Sequence, residues 1–209
     1  MLSARGPHAA GTGGLQWRPL VLTTLVASAG YGAIMGLYEP RAAQVAYSAL
    51  KVPLLLGVAL GLCFASFFVI NTLLGLRDDL WLAVRGILCS QATVALCLLS
   101  LAPVTGFAYV CGLSYPGAKL MNGIMFAFAS LGGQVTLLRH YRALIAKDAA
   151  HRRVLRIWLA LYVFVAIQFA WILRPFIGSP DLETRFFRED AWGNAYVEVL
   201  RAAAELVGD

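Results

Sequence analysis

The chain has little charge for its size. Only 13% of its 209 residues are Asp, Glu, Lys or Arg, whereas a soluble globular domain has roughly 25%. Hydrophobic residues make up 60%. Because too few charges remain to keep the surface of such a particle in water, the composition excludes an ordinary soluble domain. Much of the surface must face lipid, and the length allows one compact bundle.

Catalytic signatures are also missing. The sequence contains no GxSxG, GxGxxG, Walker-type loop or HExxH pattern. No ionisable residue lies near the centre of a predicted span, where it would indicate a functional site. The four cysteines form no CxxC pair, and we expect them to be packing residues: Cys63, Cys89, Cys97 and Cys111. The sequence therefore predicts no catalytic residue, cofactor or metal, and it leans against an enzyme.

Five apolar runs are long enough to cross a ~30 Å hydrocarbon core as helices. They cover residues 19–37, 52–74, 80–101, 118–138 and 154–172. The predicted fold is all-α: a polytopic transmembrane helical bundle of about five spans with a short amphipathic extramembrane helix at its C-terminus. Residues 1–18 are predicted to be a disordered arm, residues 19–173 the bundle, and residues 174–209 an aromatic-rich tail.

Several segment boundaries depend on proline. Residues 39–51 are predicted to be a separate amphipathic helix in the interface, with Pro53 in the first turn of the second span. Pro103 is expected to end the third span, which leaves residues 104–116 as a connector packed on the bundle or as a re-entrant piece. Ala27-Ser28-Ala29 looks like a signal-peptidase site, but the apolar run continues past it, which favours a retained first helix.

Basic residues predict the orientation. Residues 139–153 carry five Arg and Lys side chains against the single acid Asp148, and such segments stay in the cytoplasm. With five spans, the N-terminus is then cytoplasmic and the tail extracytoplasmic. This use of positive charge also explains the net charge of +6 without nucleic-acid binding. Arg outnumbers Lys and Ala is abundant, which is typical of a GC-rich genome and points to a bacterial inner membrane.

Small and amide residues predict helix packing. Gly32 and Gly36 stand four apart in the first helix, as Gly57 and Gly61 do in the second. Such ladders let membrane helices approach closely, so we expect a tight contact between these two helices. Four amides in four different spans are predicted to form interhelical hydrogen bonds or, alternatively, to line a polar cavity: Asn71, Gln91, Gln134 and Gln168.

The tail collects aromatic and arginine residues just beyond the last span. Its candidate contacts with a partner or with lipid are Arg174, Phe176, Phe186, Phe187, Arg188, Trp192 and Tyr196. Residues 191–207 have helical spacing of apolar positions. The other interpretation is an interfacial aromatic belt that holds the tail at the membrane surface.

Two stretches carry a family resemblance. The layout of helices, with YSALKVP at residues 47–53 before a Leu-rich helix, resembles bacterial Yip-type membrane proteins. LRPFIGSP at residues 173–180, followed by FFR at residues 186–188, resembles a group of uncharacterised bacterial multi-pass inner-membrane proteins. The resemblance covers about residues 40–200. It implies a membrane-organising or accessory role and brings no family active site.

Three functions are compatible with these features. The leading prediction is a non-enzymatic membrane scaffold or accessory subunit, in contact with the lipid bilayer and with a membrane protein partner or a second copy of itself. The first alternative is a small transporter or channel component, with Asn122 and the glutamines along a polar path. The second is a membrane enzyme that binds lipid head groups through Arg174, Arg185 and Arg188, since the guanidinium fork suits phosphate.

Overall fold

The protein is described here by a computed structural model that covers residues 17–179 and 183–187. Within these residues five α-helices follow one another: α1 Trp17–Gly36, α2 Ala42–Leu73, α3 Leu80–Val110, α4 Tyr115–Lys147 and α5 Ala150–Leu173. Each is long and apolar enough to cross a membrane. Within the described ranges the chain contains no strand. The predicted all-α transmembrane bundle is therefore confirmed.

The prolines do not divide the helices as the sequence predicted. Helix α2 begins at Ala42 and runs through Pro53, so residues 42–51 are its first turns and the prediction of a separate interfacial helix was wrong. Helix α3 likewise runs through Pro103 to Val110. Proline is tolerated inside membrane helices because neighbouring helices and local adjustments satisfy the backbone groups that it frees.

The link between α3 and α4 is a tight turn. Residues 104–116 form neither the packed connector nor the re-entrant piece that the sequence left open, because the first of them belong to α3 and Tyr115 already begins α4. Gly112 adopts a positive φ of 78° in this turn, a conformation that glycine adopts without the steric cost of a Cβ. Pro116 stands at the start of α4, where its missing N–H costs nothing.

Residues 139–153, which the sequence analysis places in the cytoplasm as a basic segment, are mostly helical. Helix α4 extends to Lys147 and α5 begins at Ala150, so two residues connect them. The Asp148 carboxylate accepts a hydrogen bond of 2.7 Å from the Ala150 backbone N–H, which satisfies one of the free donors at a helix start. The basic side chains consequently project from two helix ends at one end of the bundle.

Helix α1 packs against α2 and α3, α3 packs against α4, and α2 packs against α5. The buried side chains form two main clusters. The first includes Tyr31, Leu98 and Ile177, and the second includes Phe67 and Trp158. The Tyr31 cluster lies at the end of the bundle where α5 finishes, and the Trp158 cluster lies nearer the α4–α5 turn.

The α1–α2 contact uses only one of the two predicted glycine ladders. A Cβ on Gly36 would come within 2.6 Å of Val45 Cα, and one on Gly32 would collide with the Ser48 carbonyl oxygen. Gly57 and Gly61 take no part, since no described atom lies within 4 Å of the position of a Cβ on either. The tight approach therefore lies at the α2 N-terminus.

Candidate functional site

The first turns of α2 bind the chain that follows α5. Lys51 Nζ donates a hydrogen bond of 2.7 Å to the carbonyl oxygen of Pro175. Gln44 Nε2 donates one of 3.2 Å to the carbonyl oxygen of Phe176, and the Ser48 hydroxyl donates to the same oxygen. The three donors are spaced four and three residues apart and so share one helix face. We call them the binding face of α2.

All three donors are buried. Gln44, Ser48 and Lys51 are between 0% and 1% exposed. Desolvating polar groups, and an ammonium above all, is unfavourable unless they are hydrogen-bonded. The binding face therefore requires its partner carbonyls, which fixes the path of residues 174–179.

A second stretch, residues 183–187, covers the binding face. The Phe186 ring centroid lies 4.9 Å from Lys51 Nζ in a cation–π contact and 5.3 Å from the Tyr47 ring centroid. Arg41 donates hydrogen bonds of 3.2 Å to the Ser179 carbonyl oxygen and 3.3 Å to Thr184 Oγ1. We call residues 174–179 and 183–187 together the post-α5 segment.

The predicted tail residues differ in their surroundings. Phe176 and Phe186 are partly buried, and Phe176 packs against the Tyr31 cluster. Phe187 is 44% exposed. The Arg174 guanidinium carbon lies 3.4 Å from the centroid of the Trp171 ring. The helix predicted over residues 191–207 and three of the predicted contacts lie outside the described residues: Arg188, Trp192 and Tyr196.

The post-α5 segment also closes one side of a cleft of about 760 Å³ between α4 and α5. Most of its walls are apolar side chains, and its polar lining includes Lys119, Asn122 and Arg174. Lys119 Nζ lies 4.7 Å from the Tyr115 ring centroid. Helices α1 and α2 contribute one lining residue each, Met35 and Leu55, and α4 and α5 contribute most of the others, so we name it the α4–α5 cleft.

Asn122 connects three helices at the inner wall of this cleft. Its Oδ1 accepts a hydrogen bond of 2.9 Å from the Tyr31 hydroxyl of α1. Its Nδ2 donates to the Tyr109 hydroxyl of α3 at 2.6 Å and to the Ala118 carbonyl oxygen of its own helix at 2.8 Å. With its amide satisfied on both sides, Asn122 holds the wall of the cleft in place.

The four predicted packing amides differ in what they contact. Gln91 Nε2 donates a hydrogen bond of 2.9 Å to the Tyr162 hydroxyl, which links α3 to α5. Asn71 Nδ2 donates to Phe67 of its own helix, at 2.8 Å. Gln134 and Gln168 are partly buried. A further link between α3 and α4 comes from the Ser90 hydroxyl, which donates to the Gly133 carbonyl oxygen at 2.9 Å.

A charged cluster holds the opposite end of the bundle. Lys147 Nζ lies 2.7 Å from Asp79 Oδ1, and His151 Nε2 lies 3.3 Å from Asp79 Oδ2. The carboxylate before α3 thereby binds the end of α4 and the start of α5. His151 is fully buried. The described residues contain no group of three or more His, Cys, Asp or Glu side chains arranged to hold a metal ion.

Sequence patterns did not single out Lys51, Asp79 or His151. Each stands close to a helix end or turn, where a charged residue is ordinarily assumed to be solvated. The partners of Lys51 and His151 are 124 and 72 positions away along the chain. The one available signal was the scarcity of lysine, since Lys51 is among only three in the sequence.

The five helices of the described residues that are long and apolar enough to cross a bilayer define an integral membrane protein. No family model, curated protein or solved structure matches the chain. Two features of the structure bear on its function: the post-α5 segment bound to α2, and the α4–α5 cleft.

Proposed function

We propose that the protein is a scaffold or accessory subunit of a membrane complex and that it presents the post-α5 segment to a membrane protein partner. We place it in a bacterial inner membrane, with its N-terminus in the cytoplasm and this segment outside. One observation carries the proposal: three buried polar side chains of α2, including a lysine, hydrogen-bond to two consecutive carbonyl groups after α5.

A chain that merely leaves the bilayer does not require a binding face of its own. Burying Lys51 is unfavourable without hydrogen bonds. The hydrogen bonds from the binding face therefore hold the post-α5 segment in one specific conformation. A prearranged segment binds a partner with a smaller loss of conformational entropy. Phe187 supports a binding role, because it is exposed on the bound segment and aromatic residues are enriched at protein interfaces.

The charge distribution supports the proposed orientation. Arg139, Arg142, Arg152 and Arg153 are exposed on the end of α4 and the start of α5, and such basic ends face the cytoplasm. Because α5 then crosses the membrane, the post-α5 segment lies on the other side.

Photocrosslinking in native membranes tests the partner surface. A photoreactive amino acid replaces Phe187 in one variant and, as a lipid-facing control, the exposed Leu22 of α1 in another. We expect a discrete protein adduct from position 187 and only lipid adducts from position 22. An adduct of twice the chain mass would identify a second copy as the partner.

The same experiment in a Lys51→Met background shows whether the partner contacts the post-α5 segment only while α2 holds it in place. We expect the adduct at position 187 to fall several-fold when the segment is released. The proposal is overturned if positions 187 and 22 give the same products, or if the adduct forms equally well without Lys51.

A further inference from the structure

The α4–α5 cleft has the size and lining of a binding site for an amphipathic molecule. Its volume of about 760 Å³ lies within the range of roughly 300–1,000 Å³ found for small-molecule sites. Its walls include Leu55, Phe126 and Trp171, and its charged lining residues, Lys119 and Arg174, are both cationic.

The two cations lie at one end of the cleft, and its apolar lining continues from there towards the other end. Lys119 lies in the second turn of α4 and Arg174 directly follows α5, so both cations are at the end of the bundle that holds the post-α5 segment. Phe126 lines the cleft about 10 Å deeper than Lys119, given a rise of 1.5 Å per residue. A ligand with an anionic head and a hydrocarbon chain matches this arrangement.

Small side chains leave room for a chain between the two helices. Gly123 of α4 and Ala166 and Ala170 of α5 line the cleft. No described atom lies within 4 Å of a Cβ built on Gly123, so this glycine faces open space. Ile124 and Ile167, at or beside the lining, are exposed and face the bilayer, which gives lipid lateral access.

We propose that the α4–α5 cleft binds an anionic phospholipid of the surrounding bilayer. Its phosphate lies between Lys119 and Arg174, and one acyl chain follows Gly123 and Ala170 into the membrane. A guanidinium presents a planar fork of donors to phosphate, and stacking on Trp171 orients this plane. The site goes beyond the proposed function, because a protein bound at Phe187 requires no lipid in the cleft.

The test uses vesicles of equal parts phosphatidylglycerol, which is anionic, and phosphatidylcholine, which is not. The full chain is reconstituted into these vesicles and extracted in mild detergent. Native mass spectrometry then identifies the retained lipid from the mass of the complex. We expect phosphatidylglycerol to be enriched over phosphatidylcholine. Because each basic residue near a membrane surface contributes about fivefold to the binding of anionic lipid, Lys119→Gln should reduce that enrichment about fivefold.

The variant Gly123→Leu tests whether the retained lipid lies in the α4–α5 cleft. The new side chain fills the cleft, so retention of both lipids should fall to background, whereas Gly57→Leu on the open side of α2 should retain lipid like the wild type. The elution volume and helical circular dichroism of each variant verify that it folds. The adduct at position 187 should persist in Gly123→Leu, which separates this proposal from the proposed function.

Four outcomes overturn the lipid site. Equal retention in Gly123→Leu and wild type would put the lipid elsewhere. Equal retention of the two phospholipids, or enrichment unchanged in Lys119→Gln, would mean that the cations do not select the head group. Lipid retention that appears only after removal of residues 188–209 would make those residues the occupant of the cleft.

Discussion

Lys51 Nζ lies 2.7 Å from the carbonyl oxygen of Pro175 and thereby joins the first turns of α2 to the chain after α5, across 124 positions. Lys51 is fully buried, and the Phe186 ring covers it. The course of the chain beyond the last span is thus determined by a helix that begins far earlier in the sequence. This contact is the basis of the proposed presentation of Phe187.

Replacing Lys51 with Met should release the post-α5 segment. The substitution keeps an unbranched side chain but leaves the Pro175 carbonyl oxygen without this donor, and we expect the free energy of unfolding to fall by about 2 kcal/mol. Detergent unfolding measures this change, and trypsin should cut faster after Arg185, since the bond after Arg174 leads to Pro175 and resists trypsin. Leu50→Met, at the neighbouring exposed position, is the control. A Lys51→Met protein as stable and protease-resistant as the wild type would contradict the contact.

The α1–α2 approach predicts opposite effects at two glycines. Gly36→Ala places a methyl group within 2.6 Å of Val45 Cα, and overpacking of this kind costs about 2 kcal/mol. Gly57→Ala meets no described atom and should raise stability by up to about 1 kcal/mol, because alanine favours helices. Unfolding in mild detergent compares the two variants, and equal destabilisation at both positions would rule out this helix contact.

The hydrogen bond between Gln91 and Tyr162 should appear as an energetic coupling between α3 and α5. Interhelical hydrogen bonds in membrane proteins contribute about 0.6 kcal/mol on average and up to about 1.7 kcal/mol. We expect a coupling in that range from a double-mutant cycle of Gln91→Leu and Tyr162→Phe, measured by reversible unfolding. Strictly additive effects would show that the two side chains do not interact.

The charged cluster at the opposite end predicts an order of stabilities. Asp79 accepts hydrogen bonds from both Lys147 and His151, whereas the Lys147 side chain is 63% exposed and its ion pair is screened by solvent. The thermal unfolding midpoint should therefore fall further in Asp79→Asn than in Lys147→Gln. A larger loss in Lys147→Gln would contradict the central position assigned to Asp79.

The sequence was sufficient to predict the fold class and the five spans found among the described residues. The scarcity of charge and the five apolar runs follow directly from a lipid environment, and all five runs lie in helices of the structure. The positions of the helix ends were harder to predict from the sequence. Proline usually marks a helix boundary in soluble proteins, and on that basis Pro53 and Pro103 were expected at helix ends. Both lie inside continuous helices, because neighbouring helices compensate for the lost backbone hydrogen bond.

The candidate sites were only partly predictable for a different reason. The aromatic residues of the tail identify it as a candidate contact region. The binding face on α2 cannot be identified in the same way, because Lys51 binds a backbone carbonyl group, and every residue has one whatever its side chain. The cleft likewise combines residues such as Leu55, Asn122 and Ala170 from different helices. Such a set exists only once the helices are packed.

Disulfide trapping tests the central claim, that α2 holds the post-α5 segment, most directly. A Cβ on Gly178 would lie 3.2 Å from Glu39 Cβ, close to the roughly 3.5–4.5 Å typical of disulfides. With the four native cysteines replaced by alanine, Glu39→Cys with Gly178→Cys should crosslink rapidly in native membranes, and more slowly when Lys51→Met is added. Gly57→Cys with Gly178→Cys is the control pair. Crosslinking of the 39–178 pair no faster than the control, or unaffected by Lys51→Met, would contradict the account.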